Sequence, residues 1–281
     1  ITGCYTENFY IPIKNGDEIH QVMLIAHDNT DILNASKKLA DINAELTRKN
    51  DELEQFAYVS SHDLQEPLRK IQTFSELASR HITRESPAEK YLDKINASAA
   101  RMAALIKDVL NYSRLSDVPE QHIETDLNKV IENVKTDYEL LIAQKKAVIN
   151  HTILPAVKGI PLQLHQLFSN LIGNSLKFAD TEPVITICSR NLSPEEVEAD
   201  PKLDSTKGYV LIQFNDNGIG FEQEYAEHIF TIFKRLNNRK DYNGTGIGLA
   251  MCKKIVENHN GFITANSQPF KGATFSVYLP V

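Results

Sequence analysis

The sequence predicts an α+β chain: a long helical hairpin, two copies of which pair as a dimeric four-helix bundle, followed by an α/β sandwich with one helical layer on a mostly antiparallel sheet. Three observations carry this. From Ile32 onward apolar residues recur at alternating spacings of three and four, with no Gly or Pro between Asn29 and Pro67, which describes a long helix with a seam. Ser86-Pro87-Ala88-Glu89 combines an N-cap serine, a proline at the first helical position and a capping-box glutamate, so a second helix starts near Pro87. After Asp117-Val118-Pro119 the long helices give way to mixed short elements, which places a domain boundary near residue 118.

At 281 residues, 42% of them hydrophobic, the chain has room for two or three domains with ordinary cores. It has no run of about 18 to 20 apolar residues, the length of a membrane span, and Ile1-Thr2-Gly3 does not begin a signal peptide. The expectation is a soluble, cytoplasmic chain, or the cytoplasmic part of a longer receptor. A formal charge of −7 offers no basic surplus for nonspecific nucleic-acid binding. Cys4, Cys188 and Cys252 show neither paired metal spacing nor a disulfide pattern and read as buried structural thiols of a reducing compartment.

Residues 8–13 and 18–27 read as two strands joined by Lys14-Asn15-Gly16-Asp17, which has turn chemistry. A lone hairpin is marginal in water, so this one ends a larger sheet domain or packs on a partner. With the Asp28-Asn29-Thr30 step that follows, it resembles the last strands and exit motif of a PAS sensor domain.

The helical seam runs through Ile32, Ala35, Leu39, Ile42, Leu46, Leu53 and Phe56, interrupted by Lys49, while charged residues cover the other faces. Such a seam needs a partner helix, and a parallel homodimer supplies one. With Ile32, Leu39, Leu46 and Leu53 at the a positions, His62 falls at c, away from the seam. Pro67 lacks an N–H and crowds the preceding turn, so a bend is expected there. The apolar series goes on through Leu64, Leu68, Ile71, Phe74 and Leu77, breaks at 81–85, and resumes on the second helix from Leu92 to about Leu115. His62-Asp63-Leu64-Gln65-Glu66-Pro67-Leu68, on the first helix of a hairpin, resembles the phospho-acceptor box of sensor histidine kinases. By itself, a lone histidine on a helix face is more often a plain polar residue.

Beyond residue 118, strands are expected at 122–125, 147–153, 184–190, 209–216, 262–267 and 273–279, and helices at 127–143, 161–178, 222–229 and 246–259. In the helix 161–178, Asn170, Asn174 and Lys177 recur at four and three residues, so one face presents two amide oxygens and an ammonium. Amide oxygens suit Mg²⁺ shared with phosphate, and lysine suits phosphate itself. Two glycine segments follow: Asp216-Asn217-Gly218-Ile219-Gly220 at a strand end, and Gly244-Thr245-Gly246-Ile247-Gly248 opening a helix. Glycines there let the backbone approach a ligand, and a helix N-terminus offers N–H groups to phosphate. A Rossmann reading fails, because no β-α-β unit with a downstream acid surrounds Gly244 to Gly248, and the lysine-bearing P-loop is absent. Residues 193–207 read as an acidic, solvated hairpin insertion.

The order Asn-x-x-x-Asn, Asp-x-Gly-x-Gly, Phe230-Thr231-Ile232-Phe233-Lys234-Arg235 and Gly-x-Gly-x-Gly is similar to the ATP-binding domain shared by histidine kinases, DNA gyrase and mismatch-repair ATPases. The resemblance implies residues 1–30 as the end of a PAS-like domain, 31–56 as a coiled-coil signalling helix, 57–117 as the dimerisation and phosphotransfer domain, and 118–281 as the catalytic ATP-binding domain. It implies that Asp216 accepts a hydrogen bond from adenine, that Asn170 and Asn174 hold Mg²⁺, and that Lys177 and Arg235 meet the phosphates of ATP. Gly218 and Gly220 belong to the same cradle, Gly244, Gly246 and Gly248 shape a lid, and Phe230 and Phe233 anchor it; residues 221–245 are then the mobile part, with 237–243 an exposed loop. The implied reaction is autophosphorylation of His62, assisted by Asp63, and transfer to an aspartate of a separate response regulator. Glu66 stands where many members carry Thr or Asn, so weak or absent phosphatase activity is expected. An ATPase clamp of the same superfamily and a noncatalytic dimeric scaffold are the rival readings. The phosphoacceptor box argues against the first, and the intact nucleotide boxes against the second.

Overall fold

The computed structural model describes residues 6–15, 18–80, 87–115, 121–236 and 244–281, with the side chains of 12, 14–15, 18–21, 41, 44, 46–63, 80 and 87 outside the description. The chain divides into two units, Ile1–Phe56 and Ala57–Val281.

In the first unit, strands β1 (Thr6–Asn15) and β2 (Glu18–Asp28) pair antiparallel, with Phe9 opposite Ile25 and Tyr10 opposite Leu24. Successive residues face opposite sides, so Phe9, Ile11 and Met23 crowd one face while Tyr10, Val22 and Leu24 crowd the other, all of them exposed. Asp28 Oδ1 accepts the Thr30 N–H at 2.9 Å and opens helix α1 (Thr30–Arg80), satisfying one of the donors a helix start leaves over. The seam residues Ile32, Leu39 and Ile42 are exposed.

In the second unit α1 continues through Pro67 to Arg80 without interruption, and α2 (Pro87–Arg114) follows. The proposed break at 81–85 and the N-cap Ser86 lie outside the described residues. Leu68 and Ala99 are buried along this hairpin, whereas Ile71, Phe74, Tyr91, Ile95 and Met102 are exposed.

The remainder is the expected sandwich. Strands β3 (Ile123–Asp126) and β5 (Ala156–Gly159) form a small ladder, and β4 (Val148–His151), β6 (Val184–Asn191), β7 (Tyr209–Asp216), β8 (Phe262–Ser267) and β9 (Ala273–Pro280) form a sheet in the order β4-β6-β7-β9-β8. Only the β4–β6 pair is parallel among these ladders. Helices α3 (Leu127–Asp137), α5 (Pro161–Lys177) and α7 (Gly248–Asn258) cover one face, with Ile131, Leu167, Phe168, Leu171, Ile255 and Val256 buried in a core shared with Ile187, Ile212, Phe214 and Val277. The Phe168 and Phe214 rings meet edge to face at 4.9 Å.

Four elements differ from expectation. The helix expected over 127–143 breaks at Tyr138 and resumes as α4 (Glu139–Lys145), because the Tyr138 hydroxyl turns toward α5, 3.3 Å from Ser169 O. The helix expected over 222–229 is two short 3₁₀ turns, Gln223–Tyr225 and His228–Phe230. Gln223 pins the first to the edge strand by donating to Ala265 O and accepting from Ser267 N. Strand β5 was too short to announce itself, and the insertion holds helix α6 (Pro194–Ala199) with Val197 buried. Cys252 is buried as expected, but Cys188 is half-buried, and Cys4 lies outside the described residues.

Candidate active site

Helix α5 begins on Pro161, whose fixed φ suits a first helical position. Its apolar stripe turns to the sheet, which leaves Gln166, Asn170, Asn174 and Lys177 along the wall of a cavity of about 300 Å³. Asp216 and Arg235 and the glycines 218, 220, 244, 246 and 248 line the same cavity. The structure thus gathers every nucleotide-site residue expected from the sequence. His62 and Asp63 lie on α1, with side chains outside the described residues, as do residues 237–243.

Asp216 ends the central strand β7. Its Oδ1 accepts from Gly218 N at 2.9 Å and Ala273 N at 3.1 Å, and Ser175 Oγ lies 3.1 Å from Oδ2. Burial raises its carboxyl above the usual carboxylate range, against the pull of these hydrogen bonds. The adjoining glycines answer to close packing. A Cβ on Gly218 would meet Phe178 O at 2.8 Å, and one on Gly220, at φ +61°, would meet Gln268 O at 2.1 Å.

In the same cavity, burial lowers the Lys177 ammonium below its ordinary value, and the nearby Arg235 charge lowers it further. Two cations share one wall, an arrangement that an anion relieves. Arg235 Nη1 donates to Gly244 O at 2.8 Å, and Phe233 N donates to Gly246 O at 3.0 Å. Asn170 Nδ2 donates to Gly248 O at 3.3 Å, so the glycine run is tied to α5 as α7 begins. Phe230 is buried in the core, but the Phe233 ring is 59% exposed. Phe233 meets the glycine run through its backbone N–H.

Comparison with known proteins agrees with this geometry. Residues 159–281 match the family described as histidine kinase-, DNA gyrase B- and HSP90-like ATPase, and residues 52–117 match the His kinase A (phospho-acceptor) domain. The two matched segments follow one another in the chain, a phospho-acceptor domain and then an ATPase domain. Phytochrome-like protein Cph1 of Synechocystis sp. is 35% identical over 253 residues, covering 89% of this chain and 32% of that protein. Cyanobacterial phytochrome A of Nostoc sp. is 37% identical, with 89% and 31% covered. This chain therefore spans about a third of the length of these two relatives. Among solved structures, full-length ShkA in complex with AMPPNP superposes with a TM-score of 0.60 at 19% identity, over 80% of this chain and 45% of that one. The histidine kinase AdeS of Acinetobacter baumannii gives 0.52 at 18% identity, over 78% and 97%. These two share the fold.

Several residues around the cavity carried no local signal. Ser175 faces Asp216 from 41 positions away in the chain, and Gly272, at φ +84°, lies so close to the Asp216 carbonyl that no side chain fits. Asp108 and Asn111, on α2 of the phospho-acceptor domain, also line the nucleotide cavity. Their i, i+3 spacing marks one helix face, but nothing in the sequence says what that face meets. Among the described residues, no helix is long and apolar enough to cross a membrane.

Proposed function

We propose that this chain binds ATP in the cavity between α5, α7 and the β7 end and transfers its γ-phosphoryl group to a ring nitrogen of His62. The carrying observation is that one chain holds a cavity lined by the acid Asp216 and by the cations Lys177 and Arg235, together with a matched phospho-acceptor domain. Asp216 orients adenine by accepting from its amino group. Lys177 and Arg235 neutralise the phosphates, and the Gly244–Gly248 backbone closes over them. Asn170 and Asn174 fit Mg²⁺, because their amide oxygens are hard neutral donors that hold a small cation jointly with phosphate. That ion, when bound, withdraws charge from the phosphoryl oxygens. Asp63 accepts the proton on the second ring nitrogen of His62, leaving the first with a free lone pair. The γ-phosphorus bonds to that nitrogen as its bond to the bridging oxygen breaks, and ADP leaves.

The exposed apolar seam, Ile32, Leu39 and Ile42 in the first unit and Phe74, Tyr91 and Met102 in the second, supports a homodimer. The phosphoryl group then passes to an aspartate of a response regulator, and residues 1–30 serve as the end of a PAS-like sensor. Glu66 is exposed and pairs with Lys70 at 2.8 Å. It has no amide or hydroxyl to orient a water toward an aspartyl phosphate, so phosphatase activity is weak or absent. Rapid dephosphorylation of a purified partner regulator by the unphosphorylated chain is the contrary result. The main test is labelling with γ-labelled ATP: acid-labile label in the wild type that vanishes in His62→Gln is expected, and label persisting in the variant defeats the proposal.

A further inference from the structure

Thr245 sits between two lid glycines, and its hydroxyl donates to Asp108 Oδ2 of α2 at 2.7 Å. The backbone on either side is held from within the ATP domain, Gly244 O by Arg235 and Gly246 O by Phe233 N. The one side chain in the run that bears a hydroxyl is instead held by the phosphotransfer hairpin. This contact is part of a wider dock. Tyr112, one turn further along α2, and Leu115, the residue after its end, pack against the ATP-domain core, and Leu115 O accepts from Asn258 Nδ2 of α7 at 2.7 Å. Asp108 itself borders the nucleotide cavity and is half-buried there.

The height of this dock on the hairpin follows from helix geometry. Leu68 of α1 and Ala99 of α2 are both buried and line the same groove. Six residues back along α1 is His62, and six forward along the antiparallel α2 is residue 105, so Asp108 lies about 4.5 Å beyond the acceptor's level at 1.5 Å per residue.

We propose that Asp108 is a positioning residue for the nucleotide: by holding Thr245 it fixes the Gly244–Gly248 run over the phosphates, so the ATP site is complete only while α2 is docked on it. This rests on the ATP-binding reading above. An anchored run has less freedom to lose when the nucleotide binds. A shift of α2 by two residues' rise, about 3 Å, across the 2.7 Å bond lengthens it to about 4 Å, beyond hydrogen-bonding range, so nucleotide affinity follows the position of the helix that belongs to the phospho-acceptor hairpin.

Calorimetric titration of the whole chain with Mg²⁺ and a non-hydrolysable ATP analogue tests this. Asp108→Ala and Thr245→Val are each expected to weaken binding by about five- to tenfold, within the range of one net hydrogen bond. Thr245→Ser keeps the hydroxyl and is expected to stay within about twofold of wild type. The double variant is expected to bind no worse than either single, the mark of one shared interaction. In autophosphorylation the loss is expected in KM for ATP rather than in kcat. Wild-type affinity in both singles, tighter binding, or additive losses in the double overturns the inference while leaving the ATP site standing. A wild type that binds no nucleotide overturns the ATP reading and this inference together.

Discussion

Asp216 holds its place through two backbone donors, Gly218 N and Ala273 N, both on Oδ1. An amide oxygen can serve those donors equally, so Asp216→Asn is expected to fold normally. At the Oδ2 position, however, the amide presents N–H where adenine's amino group needs an acceptor, and nucleotide affinity is expected to fall at least tenfold, about 1.4 kcal/mol. Calorimetry and thermal unfolding read the two effects separately. Because burial raises this carboxyl, acidification protonates it earlier than an ordinary aspartate, and nucleotide affinity is expected to decline as pH falls through that raised value. Its contribution to stability has the opposite sign, since the folded state takes up the proton more readily than the unfolded one.

His259 shows a different titration. Its Nε2 accepts from Ile160 N at 2.9 Å and its Nδ1 lies 2.7 Å from Ile255 O, which requires the neutral ring with the proton on Nδ1. Burial lowers its pKa, so the stabilising contact is whole above the unfolded value of 6.5 and is lost as pH falls through the lowered folded value. The expected outcome is a Tm that drops as pH falls below about 6.5, with a shallower slope in His259→Gln. An equal slope in both proteins counts against it.

Among the elements, α5 shows how one helix serves packing and chemistry together. The glycine in Asn170-Leu171-Ile172-Gly173-Asn174 looks like part of the nucleotide motif, but a Cβ there would sit 2.6 Å from the Tyr138 hydroxyl. That residue admits the tyrosine that ends α3. Gly173→Ala is expected to lower stability by about 1–3 kcal/mol through overpacking, read in denaturant unfolding, even though alanine is the better helix former. Helix α6 carries the same signature as the start of α2: Ser193 accepts from Glu196 N at 3.3 Å, and Glu196 accepts from Ser193 N at 2.9 Å. The capping box in Ser193-Pro194-Glu195-Glu196 was readable by rule, yet the acidic stretch around it read as loop. Two things outside that pattern complete the element: Arg190, which grips Glu196 with two bonds of 2.8 Å and holds its carboxyl down to about 2, and the burial of Val197.

For the whole molecule, the exposed apolar stripes on α1 and α2 set the expectation of a dimer. Light scattering at micromolar concentration is expected to give twice the monomer mass, and a monomeric mass counts against it. Within the second unit, α2 belongs to the phospho-acceptor hairpin by sequence but contributes Asp108 and Asn111 to the nucleotide cavity. The phospho-acceptor segment and the ATPase segment therefore line one cavity.

Periodicity, capping residues and glycine spacing were enough to place the two long helices and the order of the sandwich elements, and the motif resemblance singled out Asn170, Asn174, Lys177, Asp216 and Arg235, which line one cavity. These features are local, since a helix face or a glycine turn is set by residues within a few positions of one another. The interruption at Tyr138, the 3₁₀ turns after Gln223, the support of Asp216 by Ser175 and Ala273, and the hold of Asp108 on Thr245 were decided only by tertiary structure. Each depends on a partner between 31 and 137 positions away in the chain, and no local pattern specifies which distant group the fold will bring within hydrogen-bonding reach.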